Sequence, residues 1–428
     1  MFFVPRSSFH VPRPTNMIQF NSHRFSNGLR LIHHYDATTA MVAVNLLYDV
    51  GSSDENENKT GLAHLMEHLM FSGTKNVKKY DEMLQRAGGD SNAWTNIDVT
   101  NYYNILPAHN VETALWLESE RLLNLNLTQE NIEVQKSVVI EEFKQRYLNQ
   151  PYGDILHLTH GQAFTTHPYR WPTIGLNTST IKSFTAQDIN EFHKRFYSVS
   201  NLVMCISGNV DFDTAVELVG KWFGDIEGQA ISARNLPTEP QQDSPRFMTH
   251  HSDVPCNMIF RSYHMCDRKS QYFAPTDLIS DILGNGTSSR FYQQLILTTG
   301  MFADIDASVL GSRDPGLFYV RARLVDGVDF DEANSAIDAV LDRLINEGVT
   351  QHEIDKCVNK YLSNKLFENV GYAEKAMSLC SHELLWGADG INHEDDNYRN
   401  VTPHDIASVA SKLFDINNCS TIYYGPSA

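Results

Sequence analysis

Two segments in the second half of this 428-residue chain repeat segments of the first half in the same order. Residues 185–208 contain the pattern Thr-x-x-Asp-Ile, a later Asn and a final Gly, and this pattern recurs at residues 402–425, an offset of 217. Residues 127–133 recur at residues 349–355, an offset of 222. Offsets near half the chain length indicate an internal duplication. We therefore predict the α+β class, with two similar α/β-sandwich domains, each a mixed, largely antiparallel sheet covered by helices.

The limits of the two domains follow from a segment that contains several prolines. Residues 226–245 include Pro237 and Pro240 and are predicted to be a linker. The first domain then spans residues 17–225, and the second spans residues 246–428.

Residues 1–16 have a composition unlike the rest of the chain. They contain Arg6 and Arg13 and no acidic residue, as transit peptides do, but three prolines interrupt any amphipathic helix. We predict a tail, with Met17 opening the folded part and no secretory signal. A cytoplasmic location of the bacterial type is expected, with the mitochondrial matrix as the alternative.

Charge and composition exclude several classes of function. The net charge of −18 argues against a nucleic-acid-binding surface, because phosphate contacts need clustered Lys and Arg. No apolar run approaches the ~20 residues that a membrane-spanning helix needs. The six cysteines are scattered, so neither a disulfide framework nor a cysteine zinc site is indicated, and a reducing compartment is expected.

The segment from Gly61 to Phe71 contains His64-x-x-Glu67-His68 and has the composition of a helix. Positions i and i+4 share a helical face, so the two imidazoles can point at one metal ion. Glu67 borders that face and can accept a proton from a metal-bound water. Taken alone, the motif is also compatible with an ordinary helix that carries two histidines and a glutamate.

A third metal ligand is expected, because a catalytic zinc has three protein ligands and an open position. The adjacent pair Glu141-Glu142 lies in a predicted helix over residues 129–148. Glu142 shares a face with Val138 and Gln135, whereas Glu141 points about 100° away. If Val138 packs inward, Glu142 faces the core, where a metal would offset the cost of burying a carboxylate. The alternative is that both glutamates are solvated.

With Glu142 placed 74 residues after His68, the chain resembles the pitrilysin/insulysin family of inverted-motif zinc peptidases. The resemblance is greatest to the short bacterial members and to the zinc-bearing subunit of mitochondrial processing peptidases. It covers most of the chain and includes Gly51-Ser52, Gly61-Leu62-Ala63, Phe71-x-Gly73-Thr74, Gly88-Gly89-x-x-Asn92-Ala93-x-Thr95, Asp98-x-Thr100-x-Tyr102, Val138-Val139-x-Glu141-Glu142 and His167-Pro168-Tyr169…Gly175.

This resemblance implies a metal site and a catalytic base. His64, His68 and Glu142 would bind one zinc ion per chain, and Glu67 would be the base. The family usually has a supporting glutamate seven residues before the third ligand, where this chain has Gln135. An amide can still hydrogen-bond a ligand histidine, but it adds no negative charge, so weaker metal binding is expected.

The resemblance also implies where a peptide substrate binds. It would add in extended form to an edge strand, and such pairing reads the peptide backbone more than its side chains. The corresponding residues here are Asn92, Ala93, Trp94 and Thr95.

One departure from the family concerns the second domain, which has no metal motif of its own. Active members often use an Arg and a Tyr from this domain to hold substrate near the zinc. The matching positions here are Ile296 and Ala303. Arg290 and Tyr292 lie nearby, but their spacing differs from that of the family pair.

The sequence therefore predicts a zinc endopeptidase that acts on peptides or unfolded segments. We expect it to be the catalytic half of a heterodimer, in which a homologous subunit supplies the missing Arg/Tyr pair, with a homodimer as the alternative. A non-catalytic scaffold or assembly subunit is the alternative from another class of function, although a scaffold has no need of Glu67.

Overall fold

The strands of the first half form one six-stranded sheet in the computed structural model, which describes residues 17–231 and 234–427. The predicted tail, residues 1–16, lies outside these residues. The strands are β1 Asn21–Arg24, β2 Arg30–Tyr35, β3 Met41–Tyr48, β4 Asp90–Thr95, β5 Thr100–Pro107 and β6 Leu202–Gly208. Their order in the sheet is β1-β2-β6-β3-β5-β4. Among these neighbours only the β2–β6 pair is parallel.

The second half forms a five-stranded sheet with the same plan. Its strands are β7 Arg246–Ser252, β8 Met258–His264, β9 Phe302–Leu310, β10 Leu317–Leu324 and β11 Cys419–Pro426. They are ordered β7-β11-β8-β10-β9, and only the β7–β11 pair is parallel. This is the order of the first sheet without β1, so the predicted fold of two similar α/β domains is confirmed.

Helices account for most of the remaining chain. Those of the first half are α1 Leu62–Met70, α2 Tyr80–Arg86, α3 Val111–Leu123, α4 Gln129–Phe143, α5 Ile155–Ala163, α6 Thr178–Ser183, α7 Ala186–Phe196 and α8 Phe212–Phe223. Those of the second half are α9 Phe273–Gly284, α10 Phe330–Glu347, α11 Gln351–Glu368, α12 Tyr372–Leu385, α13 Glu394–Arg399 and α14 Pro403–Leu413.

The repeated sequence pattern has a local structural cause at the start of α7 and α14. Thr185 accepts a hydrogen bond from the backbone N–H of Asp188, whose carboxylate accepts one in return from the Thr185 backbone N–H. Thr402 and Asp405 form the same capping box. Each box satisfies backbone donors that a helix start leaves unpaired, so the repeat marks equivalent helix starts in the two domains.

Two predicted elements are interrupted in the structure. The extended run over residues 91–106 is a hairpin, because the turn at Asn96–Val99 separates β4 from β5. The predicted helix 129–148 is α-helical to Phe143 and continues as a π-helical turn over Lys144–Leu148. Such turns are frequent at functional sites.

The first sheet is covered on both faces, and therefore β3 is buried along almost its whole length. One face packs against helices of its own half, including α1, α3, α7 and α8. The other face packs against α12 from the second half, through Ala376, Leu379 and Cys380. Burial of this apolar surface is the main force that holds the layers together.

The second sheet receives a helix from the first half in return. Ile155 and Ala163 of α5 pack against Phe260 of β8 and Tyr424 of β11. Helices α5 and α12 begin at equivalent positions, residues 155 and 372, which are 217 residues apart. The two halves therefore exchange one helix each, so the core of either sheet depends on both halves.

Residues 226–245 contain no helix or strand among the positions that are described. Along the chain, the strands of the first sheet precede this segment and those of the second sheet follow it. Helices α5 and α12, in contrast, each pack on the sheet of the other half. The domain limits given by the sequence stay a prediction. None of the described helices has the length and apolar character that crossing a membrane requires.

Candidate metal and catalytic site

The start of α1 is fixed by a glycine and a buried carboxylate. Gly61 has φ +94°, and a β-carbon there would lie 2.5 Å from the Ile174 carbonyl oxygen, so a side chain is excluded. Glu55 accepts hydrogen bonds from the backbone N–H groups of Gly61 and Ala63, at 2.9 and 2.7 Å. Burial raises the pKa of Glu55, while anions are stabilised at a helix N-terminus. These contacts set the position of the helix that carries the His-x-x-Glu-His motif.

Helix α1 presents its two histidines away from the core, because Leu65, Met66 and Leu69 occupy the buried face. His64 and His68 are half-buried, and their Nε2 atoms lie 3.7 and 3.4 Å from Oε2 of Glu142. One ligand atom from each of these three residues lies within 4.8 Å of the other two.

This donor set fits a zinc ion. A tetrahedral ion with bonds of about 2.1 Å places its ligand atoms about 3.4 Å apart. Burial, with a smaller contribution from His68, lowers the pKa of His64 to about 4, so the imidazole is in the neutral form that binds metal. Among the residues described, no other set of three His, Cys, Asp or Glu side chains is arranged to hold an ion.

The orientation of α4 differs from the expectation about Val138. That side chain is 45% exposed, and the helix instead packs inward through Val139 and Ile140. The condition under which Glu142 was expected to face the core, an inward-packed Val138, is therefore not met. Glu142 faces α1, with 18% of its side chain exposed, while Glu141 is 63% exposed and pairs with Lys144. Glu142 is thus distinguished by its distance to the two histidines and not by core burial.

Glu67 is held by a residue of the predicted substrate strand. The Thr95 hydroxyl donates to Oε2 of Glu67 over 2.5 Å, and Oε1 has no hydrogen-bond donor among the described residues. Burial raises the pKa of Glu67, and the Thr95 hydrogen bond opposes this shift. Thr95 was predicted only to bind substrate, and its contact with Glu67 was not predicted, since no sequence pattern connects residues 28 positions apart.

Arg146 is a second neighbour of the site that the sequence analysis did not identify. Its Nη1 lies 3.1 Å from Oε1 of Glu142, so the two oxygens of this carboxylate face different groups. The spacing of four residues between Glu142 and Arg146 was the available signal. Arg146 lies in the π-helical turn that follows α4.

Gln135 lies on the helix of the third predicted ligand, Glu142. It is half-buried on α4 and makes no hydrogen bond to His64 or His68. The Nδ1 atom of His64 is buried and has no hydrogen-bond partner among the described residues. The supporting role predicted for Gln135 stays a prediction.

Strand β4, which contains Asn92 to Thr95, lies at the edge of the first sheet, and β5 is its only partner among the described strands. Ala93 packs against the core that contains α1, whereas Trp94 packs against the core that contains α12. Its side chains therefore alternate between the two faces of the sheet, with Thr95 on the side of Glu67. An added strand would have access to the outer edge of β4.

The second domain places no Arg/Tyr pair at the matching positions. Ile296 packs against the core of this domain, and Ala303 is exposed at the start of β9. Arg290 bonds to the Glu353 carboxylate at 2.9 Å and to the Gly348 carbonyl at 2.8 Å. Arg290 is therefore committed to contacts within its own domain.

Two family models match consecutive parts of the chain, and the second match begins within the first half. The model for insulinase, peptidase family M16, matches residues 30–175, and the model for the peptidase M16 inactive domain matches residues 183–361. The chain belongs to the pitrilysin/insulinase family, M16. The family predicted from the sequence is thereby confirmed.

Other M16 proteins match this one over nearly its whole length. The zinc protease PqqE of Helicobacter pylori is 27% identical over 408 residues, which cover 94% of this chain and 91% of that protein. A crystal structure of a protease from Helicobacter pylori has a TM-score of 0.89 and 26% identity, and the match covers 96% of this chain and 100% of that chain. Membership in a family with zinc proteases supports a peptidase function and the use of zinc.

A longer M16 structure shares the fold. The periplasmic protease PqqL of Escherichia coli has a TM-score of 0.78 and 18% identity, and the match covers 96% of this chain but 48% of that one. This chain, over nearly its whole length, thus corresponds to about half of PqqL.

Proposed function

We propose that this M16 chain is a zinc-dependent endopeptidase that cleaves peptides or unfolded segments. The observation that carries the proposal is the convergence of His64, His68 and Glu142, with Glu67 on the same helix and hydrogen-bonded to Thr95. A zinc ion held by the first three residues supplies Lewis-acid chemistry, which lowers the pKa of a bound water and polarises a carbonyl group.

The side chains of the protein divide the remaining work. Glu67 accepts the proton of the attacking water through its free oxygen Oε1 and returns this proton to the leaving amine. Thr95 fixes the other oxygen, which limits rotation of the carboxylate. Strand β4 pairs with the backbone of an extended peptide at its outer edge, so many sequences are accepted.

We further propose that this chain is the catalytic half of a heterodimer and that a related subunit is the other half. Ile296 and Ala303 stand where active relatives have the Arg/Tyr pair, and Arg290 is engaged elsewhere. The likeness to half of PqqL supports a pairing of two such units. A homodimer in which the pair is dispensable is the alternative. The free cysteines support a reducing compartment, for which we propose a bacterial cytoplasm, with the mitochondrial matrix as the alternative.

The first test combines metal content with cleavage of a quenched fluorescent peptide. We expect one zinc per chain, loss of metal in Glu142→Gln, and retention of metal with loss of cleavage in Glu67→Gln. The matched control is Glu141→Gln, which alters the adjacent exposed glutamate and is expected to keep both metal and activity. Equal loss of metal in the variants of Glu141 and Glu142 would contradict the assignment of Glu142.

A second measurement separates the oligomeric alternatives and the scaffold. The chain is assayed alone and after mixing with a homologous subunit that has the Arg/Tyr pair. Activity only on mixing supports the heterodimer, and full activity of a pure homo-oligomer excludes it. Unchanged biological activity of Glu67→Gln would favour a non-catalytic scaffold.

A further inference from the structure

The two oxygens of the Glu142 carboxylate have different neighbours. Oε2 lies 3.7 Å from Nε2 of His64 and 3.4 Å from Nε2 of His68. Oε1 lies 3.1 Å from Nη1 of Arg146. The Arg146 side chain has no other ion pair or hydrogen bond among the described residues. The guanidinium therefore occupies the carboxylate oxygen that the histidines do not face.

The division of this carboxylate bears on how it can bind a metal ion. A carboxylate can give an ion one oxygen or both. Catalytic zinc with three protein ligands keeps a further position open for water, and a second oxygen from the same carboxylate would compete for that position. Groups that hold the ligands from behind contribute about 10- to 100-fold to metal affinity or activity. A guanidinium suits this task because it presents its donors in a rigid, planar fork.

The turn that carries Arg146 is held in place by the next residue, Tyr147. Both lie in the π-helical turn Lys144–Leu148, directly after α4. The Tyr147 ring contacts the ring of His157 on α5 edge to face, with the ring centroids 4.5 Å apart. His157 in turn donates from Nε2 to the carbonyl oxygen of Gly175 over 3.1 Å. The position of Arg146 is thereby tied to the segment around Gly175.

The same segment fixes the start of α1, the helix that carries the two histidines. Gly175 has φ +98°, and a β-carbon there would lie 2.6 Å from the carbonyl oxygen of Thr60. The backbone N–H of Leu176 donates to the Thr60 hydroxyl over 3.0 Å, and α1 begins two residues after Thr60. The histidine helix and the turn of Arg146 are therefore positioned by one segment, so the contact between Arg146 and Glu142 does not depend on helical spacing alone.

A second ion pair of the same turn provides a comparison. Nζ of Lys144 lies 2.6 Å from Oε1 of Glu141, and both side chains are exposed. Exposed pairs of this kind contribute little to stability, so neither pair is needed for the fold. The two pairs differ in their acid, because only the partner of Arg146 also faces His64 and His68.

We propose that Arg146 is a positioning residue of the metal site, which holds Oε1 of Glu142 so that this carboxylate offers the ion Oε2 alone. This inference rests on the proposed zinc-dependent function and adds a residue to its metal site. The arginine has two opposing effects, since its charge repels a cation while its hydrogen bond keeps the ligand in place. The second effect predominates, so removal of the side chain weakens zinc binding.

The first readout is the dissociation constant for zinc, measured by competition with a chromogenic chelator. Arg146→Met keeps an unbranched side chain but removes the charge and the donors, and we expect the dissociation constant to rise about 10-fold or more. Arg146→Lys keeps the charge and a donor without the planar fork, so it should recover part of the affinity. The matched control is Lys144→Met, which breaks the neighbouring pair and should bind zinc as the wild type does.

The second readout is the visible spectrum after Co²⁺ replaces zinc. The bands of Co²⁺ are more intense with four ligands than with five. We expect the intense spectrum for the wild type and for Lys144→Met, and a weaker one for Arg146→Met, in which both oxygens of Glu142 can bind. A role limited to folding would not change the number of ligands. Circular dichroism and urea denaturation of each variant show whether the fold is intact.

Zinc binding that is unchanged or tighter in Arg146→Met would overturn the proposal, and tighter binding would show that charge repulsion predominates. An equal loss of affinity in Lys144→Met would assign the effect to the charge of the turn and would also overturn it. If the wild-type chain binds no zinc, the proposed function fails and this inference fails with it. If the wild type binds zinc and cleaves peptide while Arg146→Met keeps its affinity and spectrum, only the role of Arg146 is lost.

Discussion

Arg313 donates its backbone N–H to the carboxylate of Asp98 over 2.9 Å, and this bond joins the β9–β10 connection to the turn of the β4–β5 hairpin. The hydroxyl of Tyr169 donates to the other oxygen of Asp98 over 2.8 Å. Three residues before Asp98, Thr95 holds Glu67. The second half, through Arg313, thereby holds the turn that follows the predicted catalytic contact.

Tyr169→Phe tests this connection. The hydroxyl of Tyr169 is also the acceptor for the backbone N–H of Asp314, at 3.1 Å, and the whole residue is buried. Its removal leaves a donor and an acceptor unsatisfied, so we expect a loss of about 1–3 kcal/mol in the free energy of unfolding. Urea denaturation measures it. An unchanged midpoint would mean that Asp98 is held well enough by the Arg313 N–H and by Arg234, whose Nη1 lies 3.7 Å from Oδ1 of Asp98.

Thr95→Val should lower catalysis without removing metal. The substitution keeps the shape of the side chain but removes the hydrogen bond to Glu67. A bond to a charged group contributes about 1.5–3 kcal/mol, which corresponds to a fall of about 10- to 100-fold in kcat/KM. Thr95→Ser retains the hydroxyl and should retain most of the activity. Equal losses in the two variants, at full zinc content, would show that the methyl group and not the hydroxyl matters.

We expect the free energy of unfolding to decrease as the pH is lowered, because of His193. Burial lowers the pKa of this residue to about 4 from the usual 6.5, and its Nε2 has no partner among the described residues. Above pH 6.5 the His193 imidazole is neutral in both the folded and the unfolded chain, so its protonation does not reduce the free energy of unfolding. Between pH 6.5 and 4 only the unfolded chain takes up the proton, which costs about 2 kcal/mol of stability by pH 5.

Urea denaturation at pH 7.5 and 5 measures this contribution. His193→Phe should reduce the loss of stability between the two pH values, whereas the same substitution at exposed His109 should retain it. A loss that is identical in wild type and His193→Phe would assign the pH dependence to other groups.

Gln135→Glu should strengthen metal binding. The His64 Nδ1 atom is buried without a partner, and a carboxylate that accepted its proton would make the imidazole a better ligand. Contacts of this kind change metal affinity about 10-fold or more. Competition with a chromogenic chelator measures the dissociation constant for zinc, and Gln135→Ala is the control. If both variants bind zinc as the wild type does, residue 135 does not reach His64.

The sequence predicted the parts of the site that depend on local spacing. The four-residue interval between His64 and His68 requires only a helix. The sequence left open whether Val138 packs inward, because the rotation of α4 depends on its packing against α1.

The contacts that the sequence did not predict join distant positions. The bond from Thr95 to Glu67 depends on how the hairpin packs on α1. The packing of Cys380 and Leu379 against the first sheet depends on a chain path that crosses from one half to the other. Neither leaves a periodic or compositional pattern, since each side chain has an ordinary apolar or polar character for its element.

The exchange of α5 and α12 has a consequence for the origin of this architecture. A single ancestral unit, with its own sheet and one outward helix, would have left an apolar sheet face bare unless a second copy supplied its helix. Two such units that covered each other's sheets would form a swapped dimer with two-fold symmetry. Joining two genes would then have turned an association that depended on concentration into a covalent one. One copy would then need no metal residues of its own, as long as its helix continued to cover its neighbour.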